Sequence, residues 1–347
     1  MTAPLCTCCG ERLAPCYRDL RDTLHATPGR WDLWHCPSGC GSARLWPPPD
    51  SQTLAAAYAD YHTHRSPADA PAEANSGDRA LGASARLWHR IQAARWHDRF
   101  GYRVAVTPAG RIGSALLRLW PGRLADLDAG VFFLSAPAAG TTAEPPRLLE
   151  FGCGDGALLT RMQALGWATL GTDTDPVAVT HARSRGLEVI EGGLEDVEGA
   201  RRFDAIVGKH VIEHVGEPAR ALAHARTLLQ PGGRLLLTTP NLLGSGHRRW
   251  RRDWRGLEPP RHLHLFTAEG LTRLLQDAGF EIVELRTTGR ARSAARASRA
   301  QRRHSQGRPP LAGWLAALLA EAEEFGDAWF AGKLRGNELL VSARALP

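Results

Sequence analysis

Two groups of residues in this 347-residue chain have types and spacing that could do chemistry. The first is Leu148 to Gly156, L-L-E-F-G-C-G-D-G, where an apolar run meets three glycines at alternate positions, Gly152, Gly154 and Gly156. Glycine turns let a ligand lie against bare backbone. Glu150, two residues earlier, offers a carboxylate to an ammonium group or a bound water. The second group is six of the seven cysteines, all within the first 40 residues. Cys6-Thr-Cys-Cys9-Gly10 and Cys36-Pro-Ser-Gly-Cys40-Gly41 form two thiolate knuckles suited to tetrahedral zinc on Cys6, Cys9, Cys36 and Cys40. Cys8 and Cys16 are spare thiols that could substitute, and His35 is a weaker ligand.

The elements that must position these groups follow from the pattern. The run before Gly152 reads as a buried strand, and Ala157 to Leu165, stopped by Gly166, reads as a helix. Strand, glycine turn and helix open a doubly wound nucleotide-binding sheet. A second strand, Ala168 to Asp173, ends in an acid about 20 residues past the first glycine, where a carboxylate can take both ribose hydroxyls, with Asp175 as its neighbour. Leu187 to Ile190 leads into Leu194, Glu195 and Asp196, and Phe203 to Val207 leads into Lys209-His210-Val-Ile-Glu213-His214-Val215. His210, His214 and His262 are the candidate general bases, because imidazole titrates in the useful range. Arg234 to Thr239, Phe280 to Leu285 and Asn337 to Ala343 supply three more strands, and Thr267 caps an amphipathic helix.

The remainder is less patterned. Leu54 to Tyr61 reads as a helix, residues 62 to 80 as a linker, Arg86 to Phe100 as a helix facing inward with Leu87, Ile91, Ala94, Trp96 and Phe100, and 101 to 147 as irregular. Arg248 to Phe266 reads as a loop whose arginines could hold phosphate or carboxylate, or which Trp250 and Trp254 merely anchor. The formal charge of +7 points to nucleic acid only superficially, since eight arginines and no acids between Arg286 and Arg308 account for all of it. That run reads as a solvated basic face. A hydrophobic fraction of 43% with 23% charged residues is that of a soluble globular protein. No run approaches the ~20 apolar residues of a membrane helix, and the start M-T-A-P-L-C lacks a signal pattern, so a cytoplasmic location is expected.

Taken together, Glu150 with the three glycines, the segment ending Glu213-His214-Val215, and W-R-G-L-E-P-P-R-H-L-H-L-F at Trp254 to Phe266 closely resemble class I S-adenosylmethionine-dependent methyltransferases. Bacterial members often carry a zinc-binding lobe ahead of the catalytic domain. The resemblance implies a Rossmann-like seven-stranded sheet with helices on both faces, closed by an antiparallel pair, plus a zinc-ribbon-like module. It divides the chain into residues 1–50, a connector and possible lid at 51–146, and a methyltransferase domain at 147–347. It implies that Glu150, Gly152, Cys153, Gly154 and Gly156 cradle the amino acid end of S-adenosylmethionine. Asp173 and Thr174 would hold the ribose, Leu194 and Glu195 the adenine, and His210 would line the methionine side. The implied acceptor is a small molecule, such as a sugar, lipid-linked glycan or secondary metabolite, methylated on oxygen or carbon rather than nitrogen. In the ubiquinone-biosynthesis O-methyltransferases the matching run E-V-L-E-H-V is associated with a divalent metal; here His210 replaces the first glutamate, while Glu213 and His214 are retained. Three rivals remain at this point. A dinucleotide dehydrogenase would read the loop as G-x-G-x-x-A ending in Ala157, but its sheet does not usually close with an antiparallel pair. A nucleic-acid methyltransferase would show an N-P-P-Y-type site where this chain has Thr239-Pro240-Asn241. A non-catalytic cofactor-binding scaffold is the third.

Overall fold

The structure is a computed structural model that describes residues 3–23, 25–58, 82–136, 144–288, 292–330 and 334–346. The expected linker at 62–80 and the last residues of the helix expected to reach Tyr61 lie outside the described residues.

Seven strands form one sheet: β4 (Arg147–Phe151), β5 (Ala168–Asp173), β6 (Val189–Glu191), β7 (Phe203–Lys209), β8 (Leu229–Pro240), β10 (Phe280–Thr288) and β11 (Glu338–Ala345). Their order is β10-β11-β8-β7-β4-β5-β6. β4 pairs in parallel with β5 on one side and β7 on the other, so that Leu149 lies opposite both Leu170 and Ile206. β11 alone runs against its neighbours, antiparallel to both β8 and β10. This is the Rossmann-like sheet, with the antiparallel closing pair, that the sequence implies. The central strands are apolar on both faces because helices cover both: Leu148, Leu149, Ile206, Leu235 and Leu237 are fully buried. The helices between the parallel strands are α5 (Ala157–Ala164), α6 (Pro176–Ser184) and α7 (Pro218–Leu228). Two of them start on a proline at the first helical turn, where a missing N–H costs nothing.

The cysteine-rich N-terminus forms β1 (Ala14–Leu20), β2 (Trp31–His35) and β3 (Ala43–Trp46), an antiparallel meander. Its sheet has a fourth strand from far along the chain, β9 (His264–Leu265), which pairs Leu265 with Ala43 and His264 with Arg44. β9 directly precedes α9 (Ala268–Asp277). The Thr267 hydroxyl donates to the carbonyl of Cys40 at 2.5 Å while accepting the amide of Gly270 at 3.0 Å, so the cap of α9 is built on a cysteine knuckle. Helix α1 (Ser51–Tyr58) follows the meander.

Four expectations need correction. The stretch 101–147 is not irregular: it contains α3 (Pro108–Leu116) and α4 (Pro121–Ala129). Both begin on the prolines that read as breakers, and Thr107 caps α3 through the amide of Gly110. Helix α2 (Ala83–Phe100) buries Ile91, Ala94, Trp96 and Phe100 as expected, but Leu87 is exposed, because the helix packs only through its C-terminal half. The arginine run is only in part a solvated face: Arg296 and Arg308 are exposed, but others are paired. Within α10 (Arg292–Ser305), Arg292 pairs with Asp126, Glu321 and Glu324, Arg299 with Glu323, and Arg302 with Asp253. Arg299 and Arg302 also lie over the Trp250 ring. Most of those acids lie on α4 and α11 (Gly313–Phe330), remote in sequence, so a local charge count does not reveal them. The Arg248 to Phe266 stretch is likewise partly regular, with α8 (Ser245–Trp250) and two 3-10 turns, Arg251–Asp253 and Arg255–Leu257.

Candidate active site

The sequence-selected residues come together along the carboxyl ends of the parallel strands, where a doubly wound sheet leaves its binding crevice. At the end of β4, Gly152, Gly154 and Gly156 all have left-handed φ, +67°, +55° and +75°. A Cβ on Gly152 would stand 2.6 Å from Val211, and one on Gly156 would stand 2.2 Å from Leu187, so these two positions admit no side chain. The loop is braced from β5: Asp173 accepts the amide of Gly154 at 2.7 Å through one oxygen and that of Asp175 at 2.9 Å through the other. Glu150 is 4% exposed, and its Oε2 has no hydrogen-bond partner. Burial pushes its carboxyl up to about 8, with Lys209 opposing the shift. A buried carboxyl with an unpartnered oxygen carries a desolvation cost that no hydrogen bond to that oxygen among the described residues offsets. Cys153 is buried, its amide bonded to the Thr172 carbonyl, so its place in the loop is set by backbone. At the end of β6, Leu194 is buried in a 3-10 turn, Leu194–Asp196, with Glu195 exposed beside it.

The residues after β7 form a second cluster. His210 has φ +51°, and its two ring nitrogens face two carboxylates, Glu213 at 3.3 Å and Glu338 at 3.0 Å. Burial opposes its charge, but those two carboxylates hold its pKa up to about 9. The two carboxylates thus favour the protonated ring of His210, a form that donates rather than accepts a proton. Glu338 was not legible as a partner, because it lies at the start of β11, far away in sequence.

The other two histidines differ. The Nδ1 of His214 lies 2.9 Å from the Arg261 carbonyl, which anchors the ring by that nitrogen. The Nδ1 of His262 likewise donates to the Gly256 carbonyl at 2.7 Å. The rings meet edge to face at 4.7 Å. Burial lowers the pKa of His262 to about 4, keeping it neutral. Glu213 is fully buried, and its second oxygen accepts the Thr239 hydroxyl at 2.9 Å. One donor atom from each of Glu213, His214 and His262 falls within 4.8 Å of the others. Tyr58, at the end of α1, contacts His214 Nδ1 at 2.9 Å, bringing the N-terminal segment into the site.

A fully buried arginine supports this cluster. Arg261 donates to Asp22 at 2.9 Å, to the Ala57 carbonyl at 3.0 Å and to Glu258 at 3.0 Å. It joins the N-terminal lobe, α1 and the segment carrying His262. Arg255 also pairs with Glu258, Arg249 with Asp327, and Arg252 with the Asp19 carbonyl. Trp250 and Trp254 are buried. The arginines expected to grip a substrate anion are therefore mostly used within the protein, and the anchoring role of the tryptophans accounts for the segment. Arg261→Met should lower unfolding stability by about 3–5 kcal/mol, the usual cost of stranding buried charges, as read by denaturant titration; a change below about 1 kcal/mol would contradict this account.

The N-terminal thiols also converge. Cys6, Cys9, Cys36 and Cys40 each place Sγ within 4.8 Å of the other three, with Cys6–Cys40 at 3.6 Å and Cys9–Cys36 at 3.5 Å. Those separations are too long for a disulfide and close to the ~3.8 Å edge of a tetrahedron with Zn–S of about 2.3 Å. Gly39 leaves the thiols room: a Cβ there would stand 2.9 Å from the sulfurs of both Cys9 and Cys36.

Residues 124–285 match the family described as "Methyltransferase domain". Among curated proteins the chain is similar to "Ubiquinone biosynthesis O-methyltransferase" of Dinoroseobacter shibae, 32% identical over 40% of this chain and 61% of that one. Proteins of the same name from Cereibacter sphaeroides and a Caulobacter species are 39% and 33% identical, over 27% and 37% of this chain and 41% and 60% of theirs. The chain thus spans only about two fifths to three fifths of the length of these relatives. The stretch that matches a methyltransferase domain takes in the glycine loop and strands β4 to β8 of the Rossmann-like sheet.

Proposed function

We propose that the protein transfers the methyl group of S-adenosylmethionine to an oxygen of a small-molecule acceptor, with carbon as the second choice. The observation that carries the cofactor reading is Glu150, a buried carboxylate with an unpartnered oxygen beside left-handed glycines. The ammonium of the cofactor supplies the missing partner, and the glycines, free of side chains, let its amino acid end lie against the backbone. Asp173 and Thr174 take the ribose, Leu194 and Glu195 the adenine edge, and His210 lines the methionine end. The name of the relatives, "Ubiquinone biosynthesis O-methyltransferase", supports oxygen as the accepting atom. Internal pairing of Arg292, Arg299 and Arg302 weakens the argument for a nucleic-acid acceptor.

Methyl transfer destroys the sulfonium charge as the acceptor attacks in line, so alignment in a dry pocket supplies much of the rate. A hydroxyl acceptor must also lose its proton. His214, its ring anchored through Nδ1 on a backbone carbonyl, is suited to take it through Nε2. His262 is neutral and a weaker base, which suits positioning.

Glu213, His214 and His262 also fit a divalent cation, since two carbonyl-anchored imidazoles and a carboxylate are a common donor set. Such an ion would acidify a bound hydroxyl. In the N-terminal lobe, Cys6, Cys9, Cys36 and Cys40 are proposed to hold a structural zinc. A cytoplasmic location completes the reading.

The test is isothermal titration with S-adenosylmethionine and, separately, NADH, followed by transfer of labelled methyl to phenolic acceptors. Binding of the sulfonium cofactor alone supports the proposal, whereas binding of NADH alone refutes it. A pH series adds a sharper expectation. The ammonium pairs with ionised Glu150, so binding must release the proton this carboxyl holds below about 8. Affinity should therefore rise with pH, by about tenfold per unit well below 8, and fall again above it as the α-ammonium of the ligand loses its proton. A flat profile between pH 6 and about 8 would place the ammonium elsewhere.

A further inference from the structure

Helix α1 buries one side chain, Ala57; the rest of its length is exposed or half-buried. A helix retained for stability lays an apolar stripe against the body. This one is tied down at its C-terminal end by polar contacts. The guanidinium of Arg261 donates to the Ala57 carbonyl at 3.0 Å, and the Tyr58 hydroxyl stands 2.9 Å from Nδ1 of His214. The rings of Tyr58 and His214 meet edge to face, with centroids 6.1 Å apart.

The N-terminal sheet sets the distance between the two. β3 and β9 are antiparallel neighbours, and the Leu45 amide extends their pairing by donating to the Leu263 carbonyl at 2.9 Å. The chain leaving β3 enters α1 through Pro47, Pro48 and Pro49, whose rings lock φ. The chain entering β9 carries Arg261 and His262, and the Leu263 amide donates at 2.9 Å to the carbonyl of Glu213, the residue before His214. Tyr58 and His214 are thus brought together by segments flanking one strand pair. Arg261 reaches both, with its guanidinium on Ala57 and its carbonyl 2.9 Å from His214 Nδ1.

We propose that Tyr58 is a positioning residue for His214: its hydroxyl and the Arg261 carbonyl together hold the ring by Nδ1, so that Nε2 is the nitrogen presented to the acceptor. This rests on the methyl-transfer reading, in which His214 takes the acceptor's proton. A ring anchored by one oxygen can still turn about that bond, and a second oxygen removes the freedom. Proton transfer requires base and proton within hydrogen-bond reach, so small displacements there are expensive in rate. The N-terminal lobe thereby does more than fold. It delivers a side chain to the reacting centre that neither the glycine loop nor the seven-stranded sheet supplies.

The test compares the full wild-type chain with Tyr58→Phe, His214→Ala and the double variant. Calorimetric titration should give wild type and Tyr58→Phe the same affinity for S-adenosylmethionine, whose proposed loop lies at β4 and β5. Transfer of labelled methyl to catechol should show kcat about tenfold or more lower in Tyr58→Phe, with the cofactor KM unchanged. That loss should vanish in the His214→Ala background, because a residue acting through His214 then has nothing to position. The ring-nitrogen NMR signals of His214, assigned by their loss in His214→Ala, should shift in Tyr58→Phe while those of His210 stay in place. The spectrum needs no acceptor, so it separates failure of this inference from failure of the methyl-transfer reading. Unmoved His214 signals overturn the proposal, as does a full kcat in Tyr58→Phe or an equal loss in both backgrounds. A drop in cofactor affinity or melting temperature large enough to explain the lost rate also overturns it, since Tyr58 would then only support the fold.

Discussion

Asp173→Ala is expected to weaken binding of S-adenosylmethionine by a hundredfold or more, measured by calorimetric titration at constant pH. Two charge-assisted hydrogen bonds to the ribose hydroxyls, each about 1.5–3 kcal/mol, together correspond to about 10²–10⁴ in affinity. The same side chain accepts the amides of Gly154 and Asp175, so its removal also loosens the glycine loop that faces the cofactor. Asp173→Asn keeps one acceptor and should fall between. Asp175→Ala is the control: Asp175 caps α6 through the amide of Val177, a contribution of about 1 kcal/mol to the helix and not to the ligand. If affinity survives Asp173→Ala, the ribose site is elsewhere.

Loss of metal from the cysteine cluster should have the larger effect on the fold. Structural zinc contributes on the order of 10 kcal/mol, more than most domains have to spare. We expect elemental analysis of the purified protein to find about one zinc per chain. Chelation, or Cys36→Ser, should then expose the first 50 residues to proteolysis and abolish methyl transfer. The damage should spread, because Thr267 at the start of α9 is bonded to the Cys40 carbonyl and Leu265 pairs with Ala43. Protein that is free of zinc as isolated, and whose melting temperature does not respond to the chelator, would refute the zinc assignment.

How far the sequence foretold this structure depended on how local each signal was. The β4 strand, the glycine turn and α5 are adjacent in the chain, and each shows its own periodicity or its own glycine, so residues 148 to 165 could be read directly. The same holds for the two cysteine knuckles. Helices α3 and α4 were missed because proline and glycine were weighed as breakers, although a proline in the first turn after Thr107 or Trp120 starts a helix. The partners of the charged groups were invisible for a different reason. His210 with Glu338, His214 with Tyr58, Arg261 with Asp22 and Arg299 with Glu323 join segments that no spacing rule connects. Consequently the types of the site residues were legible, whereas their protonation states were not. The protonated ring favoured at His210 and the neutral donor to Gly256 at His262 follow only from neighbours that the fold supplies.

The pairing of β3 with β9 also sets an order of events during synthesis. The cysteine-rich segment leaves the ribosome before the seven-stranded sheet, yet the strand that completes its own sheet, His264–Leu265, emerges only after β4 to β8 have been made. Until then Ala43 to Trp46 is an open edge with an unpaired row of backbone donors and acceptors. Domains usually fold as they appear, N-terminal part first; here an early segment must wait for a late one. A chain interrupted before Leu265 would therefore keep an unfinished sheet edge at Ala43 and Arg44, the two residues that β9 pairs.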